Sequence, residues 1–292
     1  MRIDRLHNVY CMDAAACLPT LPAASVQTIV TSPNYWALRL VTQDTDIGAE
    51  STPDLYAETI VRLCAQLARV LKPDGTLWLN LGDVYARKTV CGGSSAIAHR
   101  WQTAARANDR RANQTRRPWA PGLKTKDLCG IPWTVALALR AWGWYLRSEI
   151  IWQKPDPVPE SCRDRPTRAH ESLFLLTLRP QYKFRFEAWK EPATSRPGTR
   201  NRRTVWKLHS KGHAGHPATF PEKLVEPCIL AGSDPGDLVL DPFAGSGTVA
   251  AVAARLGRRS LSIEKNSAYC NVIADRLAKL TRGPTNHIDT HK

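Results

Sequence analysis

An α/β fold around a mostly parallel sheet is what this chain predicts, and three observations carry the prediction. Short apolar runs alternate with amphipathic stretches along most of the sequence. The links between many of them are short. Near the C-terminus, "DLVLD", "PFAGSG" and "TVAAVAARLG" read as strand, loop and helix, and "RRSLSIE" with "SAYCNVIADRLAKL" repeats the strand and helix. At 292 residues and 43% hydrophobic, the chain can bury one large core, or one core with appended parts.

Taken in order, "NVYCMDA" and "VQTIVTS" are short buried strands joined through "CLPTLPAAS". Thr52 caps the next helix, with Pro53 suited to its first turn. Leu55, Tyr56, Ile60, Leu63, Leu67 and Leu71 keep a helical apolar stripe, and "KPDG" stops it. "TLWLNLG" is a strand. Residues 88–127 lose periodicity and gain Gly, Ser, Asn and Arg, which marks an insertion. "IPWTVALALRAWG" is a helix with proline in its first turn and glycine at its end, and "YLRSEIIWQK" and "SLFLLTL" resume strands. Residues 184–212 read as irregular, and "FPEKLVEPCILAG" as an amphipathic helix. A polar, loose tail follows Arg282.

No apolar run approaches the ~20 residues of a membrane span, and "MRIDRLHNVY" lacks the apolar region of a signal peptide. The eight cysteines are scattered without a C-x-x-C pair, which reads as reduced core thiols and not as disulfides or a zinc site. A cytoplasmic protein without a membrane or metal partner is expected.

Charge is the stronger clue: the net charge is +15, with a pI near 9.7. Residues 100–126 carry Arg100, Arg106, Arg110, Arg111, Arg116, Arg117, Lys124 and Lys126 against the single acid Asp109, and residues 183–211 carry nine Lys or Arg against Glu187 and Glu191. Trp101, Trp119, Trp189 and Trp206 lie among them. Clustered cations with interleaved aromatics suit a polyanion whose bases can stack, so nucleic acid is the first partner to consider. Two disordered basic loops fit the charge alone equally well.

The stretch "LVLDPFAGSGT" carries the most chemical information. Asp241 ends a strand, and Gly245 and Gly247 let the backbone approach a ligand without side-chain interference. The helix that follows offers free N–H groups to a carboxylate. The pattern is not G-x-G-x-x-G, and no lysine follows the second glycine as in a P-loop, so a smaller nucleoside ligand fits better than a dinucleotide or triphosphate. The next strand ends in Glu264, an acid placed to hold the two hydroxyls of a ribose. A tight strand–helix turn with an acid at a strand end is the bland alternative.

Two hundred residues earlier, "TSPNYW" closes a buried strand with a hydroxyl, a proline, an amide and two aromatics. Together with "DPFAGSG" it resembles the motif pair of the amino-methylating DNA methyltransferases, whose catalytic tetrapeptide is Ser/Asp/Asn-Pro-Pro-Tyr/Phe. The catalytic motif comes first and the cofactor glycines last, an order similar to the β class. "VLKPDGTLWLNLGD", "KDLCGIPW", "WYLRSEIIWQKPDPVPESCRDRPTRAHESLFLL" and "ATFPEKLVEPCILAG" resemble the same family, so the likeness covers most of the chain outside the two basic stretches. It implies a Rossmann-like fold with permuted motif order, S-adenosylmethionine as cofactor and double-stranded DNA as substrate. The catalytic residues it implies are Ser32, Pro33, Asn34 and Tyr35, with Asn34 standing where the family usually has a second proline. Ser32 Oγ and the Pro33 carbonyl would accept from the exocyclic amine, and Tyr35 would stack on the flipped base. Trp36 is read as core. Asp13, Phe220, Asp241, Phe243, Gly245, Gly247 and Glu264 would bind the cofactor, with Thr219 and Pro221 beside Phe220.

The expected organisation is a catalytic domain of 1–87, 128–183 and 213–282, a basic insertion at 88–127, a target-recognition segment at 184–212 and the tail 283–292. Arg110, Arg111, Arg116, Arg117, Arg200, Arg202 and Arg203 would grip DNA. A serine at the head of the motif, where adenine-specific relatives usually carry aspartate, favours N4 of cytosine over N6 of adenine. A homodimer and a cognate restriction endonuclease are compatible with this reading. From another functional class, a DNA-binding module with a decayed methyltransferase core remains the alternative, against which the intact Asp241, Gly245, Gly247 and Glu264 stand.

Two further features are set aside. Pro227-Cys228 has the form of the Pro-Cys nucleophile that attacks a cytosine ring carbon, but Cys228 lies in the apolar "LVEPCIL", and that chemistry needs an exposed thiolate. His209, His213 and His216 have near-ligand spacing with no cysteine or carboxylate close in sequence, so a metal is not expected. Proteins that methylate RNA or protein glutamine, as families, place the cofactor loop before the N/D-P-P-Y element, the reverse of this order.

Overall fold

The computed structural model describes residues 6–37, 47–86, 122–193, 197–210 and 220–281. The chain divides into two compact units, one of Met1–Ser32, Ala65–Asn80 and Trp144–Lys292, the other of Pro33–Cys64 and Leu81–Gly143.

The first unit is organised by a sheet. Its strands are β1 (His7–Cys11), β2 (Val26–Thr31), β3 (Leu71–Leu81, whose last residue belongs to the other unit), β4 (Tyr145–Gln153), β5 (His170–Thr177), β8 (Val205–Lys207), β9 (Leu238–Asp241) and β10 (Arg259–Glu264). Among the described residues they lie in the order β1-β10-β9-β2-β3-β5-β4-β8. The pairs β1/β10, β10/β9, β9/β2 and β2/β3 are parallel, and β4/β5 is antiparallel. Every residue of β2 is buried, as expected of a strand covered on both faces of a parallel sheet. Register aligns the carboxyl ends: Cys11 lies beside Glu264, Ser262 beside Asp241, and Leu240 beside Ile29. Ligands of open α/β sheets bind outside such strand ends.

Helices α5 (Glu222–Gly232), α6 (Thr248–Arg255) and α7 (Ser267–Thr281) follow the alternation read from sequence. The last residue of α5 must be glycine: a Cβ at Gly232 would fall 2.5 Å from Thr28 Oγ1, which donates to the Gly232 carbonyl at 2.7 Å. One core cluster joins Val30, Trp78, Trp152, Leu173, Val225, Ile229, Val239 and Val252, and a smaller one joins Val9, Ala250, Cys270, Ile273 and Leu277.

Two expectations about elements change. Strand β3 begins at Leu71, because "KPDG" bulges between the pairs Val26–Leu71 and Thr28–Thr76. The stretch 184–212 is not irregular throughout. It forms a short helix α4 (Phe186–Trp189), a hairpin of β6 (Glu191–Pro192) with β7 (Thr199–Arg200), and β8, which pairs with β4. The reason is aromatic. Trp189 stacks on Trp78 at 5.6 Å and lies 5.5 Å from Trp206, and both Trp189 and Trp206 are buried in the core. Neither is therefore available to stack on nucleic-acid bases. Trp101 and Trp119 lie outside the described residues.

In the second unit, α2 (Pro53–Val70, its last turns in the first unit) starts where Thr52 Oγ1 accepts the Leu55 N–H at 3.1 Å, the cap expected from sequence. Helix α3 (Ile131–Trp142) starts on Asp83, whose Oδ1 and Oδ2 accept the N–H groups of Ile131 and Gly130 at 3.1 Å each. Among the described residues, no helix is long and apolar enough to cross a membrane.

Candidate active site

The glycine loop after β9 is held by two carboxylates. Asp241 is 2% exposed, and its Oδ1 accepts both the Phe243 N–H at 3.0 Å and the Thr31 hydroxyl at 2.8 Å. Burial, reinforced by the charge of Glu264, pushes the Asp241 carboxyl up to about 7, although these two hydrogen bonds pull the other way. At the far end of the loop, Glu264 Oε2 accepts the Gly245 N–H and Oε1 accepts the Asn266 N–H, each at 2.8 Å.

Between them the backbone turns through left-handed conformations, with φ of 50° at Gly245 and 77° at Gly247. A Cβ at Gly247 would also crowd Ile273 at 3.0 Å. Gly247 precedes α6, so the first N–H groups of that helix open at the loop. Ser246 is buried, its carbonyl accepts from Arg276 at 3.2 Å, and its Oγ has no hydrogen-bond partner among the described residues. The loop and the helix N-terminus are the candidate cradle for a small polar ligand, with the buried Ser246 hydroxyl as a further candidate donor.

The other expected cofactor residues divide. Phe243 is half-buried on the loop itself. Phe220 is half-buried against the large core cluster, just before Pro221, which precedes α5. Asp13 caps a short helix α1 (Ala14–Cys17), its Oδ1 accepting the Ala15 N–H at 2.8 Å, a local role that the residue type always allowed. Thr219 lies outside the described residues.

Strand β2 ends at Thr31, and Ser32 follows at the boundary of the first unit. Across the peptide bond, Pro33, Asn34 and Tyr35 open the second unit. There the Asn34 carbonyl accepts the Tyr56 hydroxyl at 3.0 Å. Tyr56 is buried, and burial pushes its phenol far up, so it keeps the proton it donates. That hydrogen bond steadies the backbone at the position where a second proline is missing. Trp36 is 2% exposed and donates to the Glu50 carbonyl at 2.7 Å, which makes it core, as read from sequence.

The ring of Tyr35 lies on Gly82. A Cβ there would stand 2.5 Å from Tyr35 Cδ2 and 3.2 Å from Cζ. Sequence reading singled out neither Gly82 nor Tyr56 nor Thr31 for the site. For Gly82 a signal existed, since a glycine ending an apolar strand often marks a close approach.

The basic residues separate likewise. Arg110, Arg111, Arg116 and Arg117 lie outside the described residues. Arg200 pairs with Glu191 at 3.0 Å across the β6–β7 hairpin. Arg202 sits 5.5 Å from the ring centre of Trp206 and 6.0 Å from that of Trp189, within 3.9 Å of Glu191. Arg203 is exposed, while its carbonyl accepts from Trp206 at 2.7 Å.

Of the features set aside, Cys228 is fully buried, donates to the Leu224 carbonyl at 3.2 Å, and has its thiol pushed far up by burial, so it supplies no thiolate. His209 does meet a carboxylate, Asp156 at 3.3 Å, which the sequence spacing did not show. His213 and His216 lie outside the described residues. Among the described residues, no group of three or more His, Cys, Asp or Glu is placed to hold a metal ion.

The chain resembles known proteins over most of its length. A family model described as DNA methylase matches residues 26–275. The chain is 47% identical over 266 residues to the Type II methyltransferase M.Cfr9I of Citrobacter freundii, covering 91% of this chain and 85% of the relative. It is 43% identical to M.SmaI of Serratia marcescens, covering 91% and 89%. Its fold matches the PvuII DNA methyltransferase, described as cytosine-N4-specific, with a TM-score of 0.68 at 19% identity over 95% and 91% of the two chains. It also matches TTHA0409 of Thermus thermophilus, solved with S-adenosyl-L-methionine, with a TM-score of 0.64 at 24% identity over 95% and 96%.

Proposed function

The chain belongs to the amino-methylating DNA methylase family, and from that premise we propose that it methylates N4 of cytosine in duplex DNA, using S-adenosylmethionine. The observation that carries this reading is the peptide Ser32-Pro33-Asn34-Tyr35, issuing from a strand whose carboxyl end adjoins Asp241 at the head of the glycine loop.

The cradle fits the cofactor. Ser246 Oγ and the first N–H groups of α6 are donors suited to its methionine carboxylate, and the carboxylate of Glu264 keeps acceptor capacity for ribose hydroxyls. The cofactor, when bound, supplies an electrophilic methyl group. The chain must then make a poor nucleophile competent, because the lone pair of an exocyclic amine is delocalised into the ring. Acceptors aimed at its hydrogens favour a tetrahedral nitrogen and localise that pair. The Pro33 carbonyl accepts from the amine, and the Ser32 hydroxyl, which can both accept and donate, either accepts the amine's second hydrogen or donates to the neighbouring ring nitrogen. Carboxylate at that position could only accept; because adenine N1 would take the same donor as cytosine N3, the choice of cytosine rests on serine standing where adenine-specific relatives usually carry aspartate. Tyr35 offers its ring to the flipped base.

The Type II designation of the relatives supports a role beside a cognate endonuclease. Digestion of methylated DNA to nucleosides, followed by mass spectrometry, tests the proposal. N4-methyldeoxycytidine is the expected product. Label confined to deoxyadenosine would move the target to N6, and label on the cytosine ring carbon would reject the mechanism.

A further inference from the structure

We propose that Thr31 is a positioning residue for methyl transfer, holding the peptide that carries Ser32 to the strand end from which the cofactor loop springs. The inference rests on the reading of Ser32 as a catalytic residue. Thr31 is 1% exposed and closes β2, and its hydroxyl reaches Asp241 Oδ1 at 2.8 Å across 210 positions of sequence. The same oxygen accepts the Phe243 N–H at 3.0 Å. A single carboxylate oxygen thereby joins the end of one strand to the first turn of the loop after its neighbour.

Ser32 is the next residue, about 3.8 Å on from Thr31 by the Cα–Cα spacing of a trans peptide. Any slide or rotation at Thr31 passes to it directly. The loop, in contrast, has anchors of its own. Gly245 is held by Glu264, and the Ser246 carbonyl is held by Arg276. Removing the Thr31 hydroxyl should therefore leave the cradle formed while loosening the register between cradle and catalytic peptide. Transfer depends steeply on such register. The signature of Thr31 is thus a loss of turnover with cofactor binding preserved.

Valine has nearly the shape of threonine without the hydroxyl. In Thr31→Val, kcat should fall about tenfold or more, while the dissociation constant for S-adenosylmethionine stays within about threefold of wild type. Thr31→Ser, which keeps the hydroxyl and drops the methyl, should restore most of kcat. Thr31→Ala repeats the test without the hydroxyl should the valine variant not fold. Wild-type kcat in Thr31→Val or Thr31→Ala would overturn the proposal, as would equal losses in Thr31→Ser and Thr31→Val, which would assign the effect to packing of the methyl group. Loss of folding in both hydroxyl-free variants would do the same, by assigning Thr31 to stability. Ser32→Ala is measured alongside. Unchanged transfer in that variant would overturn the reading of Ser32 and this inference together, whereas an inactive Ser32→Ala with an unaffected Thr31→Val would overturn the inference alone.

Discussion

Replacing Gly82 with alanine tests whether Tyr35 is placed by what it rests on. The new Cβ would stand 2.5 Å from Tyr35 Cδ2 and would overlap Cε2. Carbon atoms in contact prefer about 3.5–4.0 Å, so ring and backbone must separate by about 1 Å. Gly82 does not have a positive φ, so alanine brings no strain of its own there. The cost is confined to the crowded ring. Overpacking of this kind destabilises by about 1–3 kcal/mol. Because a 1 Å misplacement of a positioned group can cost about a hundredfold in rate, the larger effect is expected on catalysis. The assay is transfer of labelled methyl to unmodified duplex DNA, with cofactor affinity measured separately. In Gly82→Ala, kcat/KM should fall ~30–100-fold while cofactor affinity holds. On a Tyr35→Ala background, which leaves the added methyl group nothing to displace, the same substitution should cost less than about twofold. Full activity in Gly82→Ala, or an undiminished cost in the double variant, would refute the reasoning.

Three further outcomes follow from the geometry. Tyr56→Phe removes the hydroxyl that holds the Asn34 carbonyl; a loss of about 1 kcal/mol in stability and a fall in kcat should appear together, and unchanged kinetics would show that Asn34 needs no such support. Glu264→Ala leaves the N–H groups of Gly245 and Asn266 without their acceptor; at ~1–3 kcal/mol, calorimetry should find cofactor binding weakened at least about fivefold, and normal affinity would remove Glu264 from the site. Asp241→Asn tests the buried carboxyl. Its folded pKa is raised from an ordinary 3.8 to about 7, so the stability tied to its neutral form is full below pH ~4 and is lost as pH rises through ~7, by at most about 4 kcal/mol. Denaturant melts should show this decline in the wild type and a flatter profile in Asp241→Asn, and parallel profiles would mean that the carboxyl titrates normally.

Much of the fold was legible because its signals are local. Alternating apolar runs, the Thr52 cap and the doubled strand–helix unit at the C-terminus each depend on neighbours a few residues apart, and each appears as read. The 184–212 stretch was harder. Its cations suggested a solvated segment, while Trp189 and Trp206 were drawn into a core that also holds Trp78 and Trp152. Composition cannot tell a tryptophan waiting for a base from one packed under a sheet edge. Arg200 and Arg202 illustrate the same limit: beside Glu191 and the two indoles they have partners within the chain.

What the sequence determined by itself was the chemistry available: a serine–proline–amide–tyrosine peptide at a strand end, a glycine loop flanked by two acids, and an order of motifs that identifies the family. Each is a property of consecutive residues. What only the tertiary structure decided was which of those groups face one another. Thr31 meets Asp241 across 210 positions because β2 and β9 are neighbours in the sheet. Glu264 reaches the Gly245 N–H because β10 lies next to β9, with Ser262 beside Asp241. Gly82 meets the ring of Tyr35 across 47 positions, a contact that spacing does not encode. Strand order sets such contacts, and it follows from burying the apolar surface of the whole chain at once, which no short stretch can do alone.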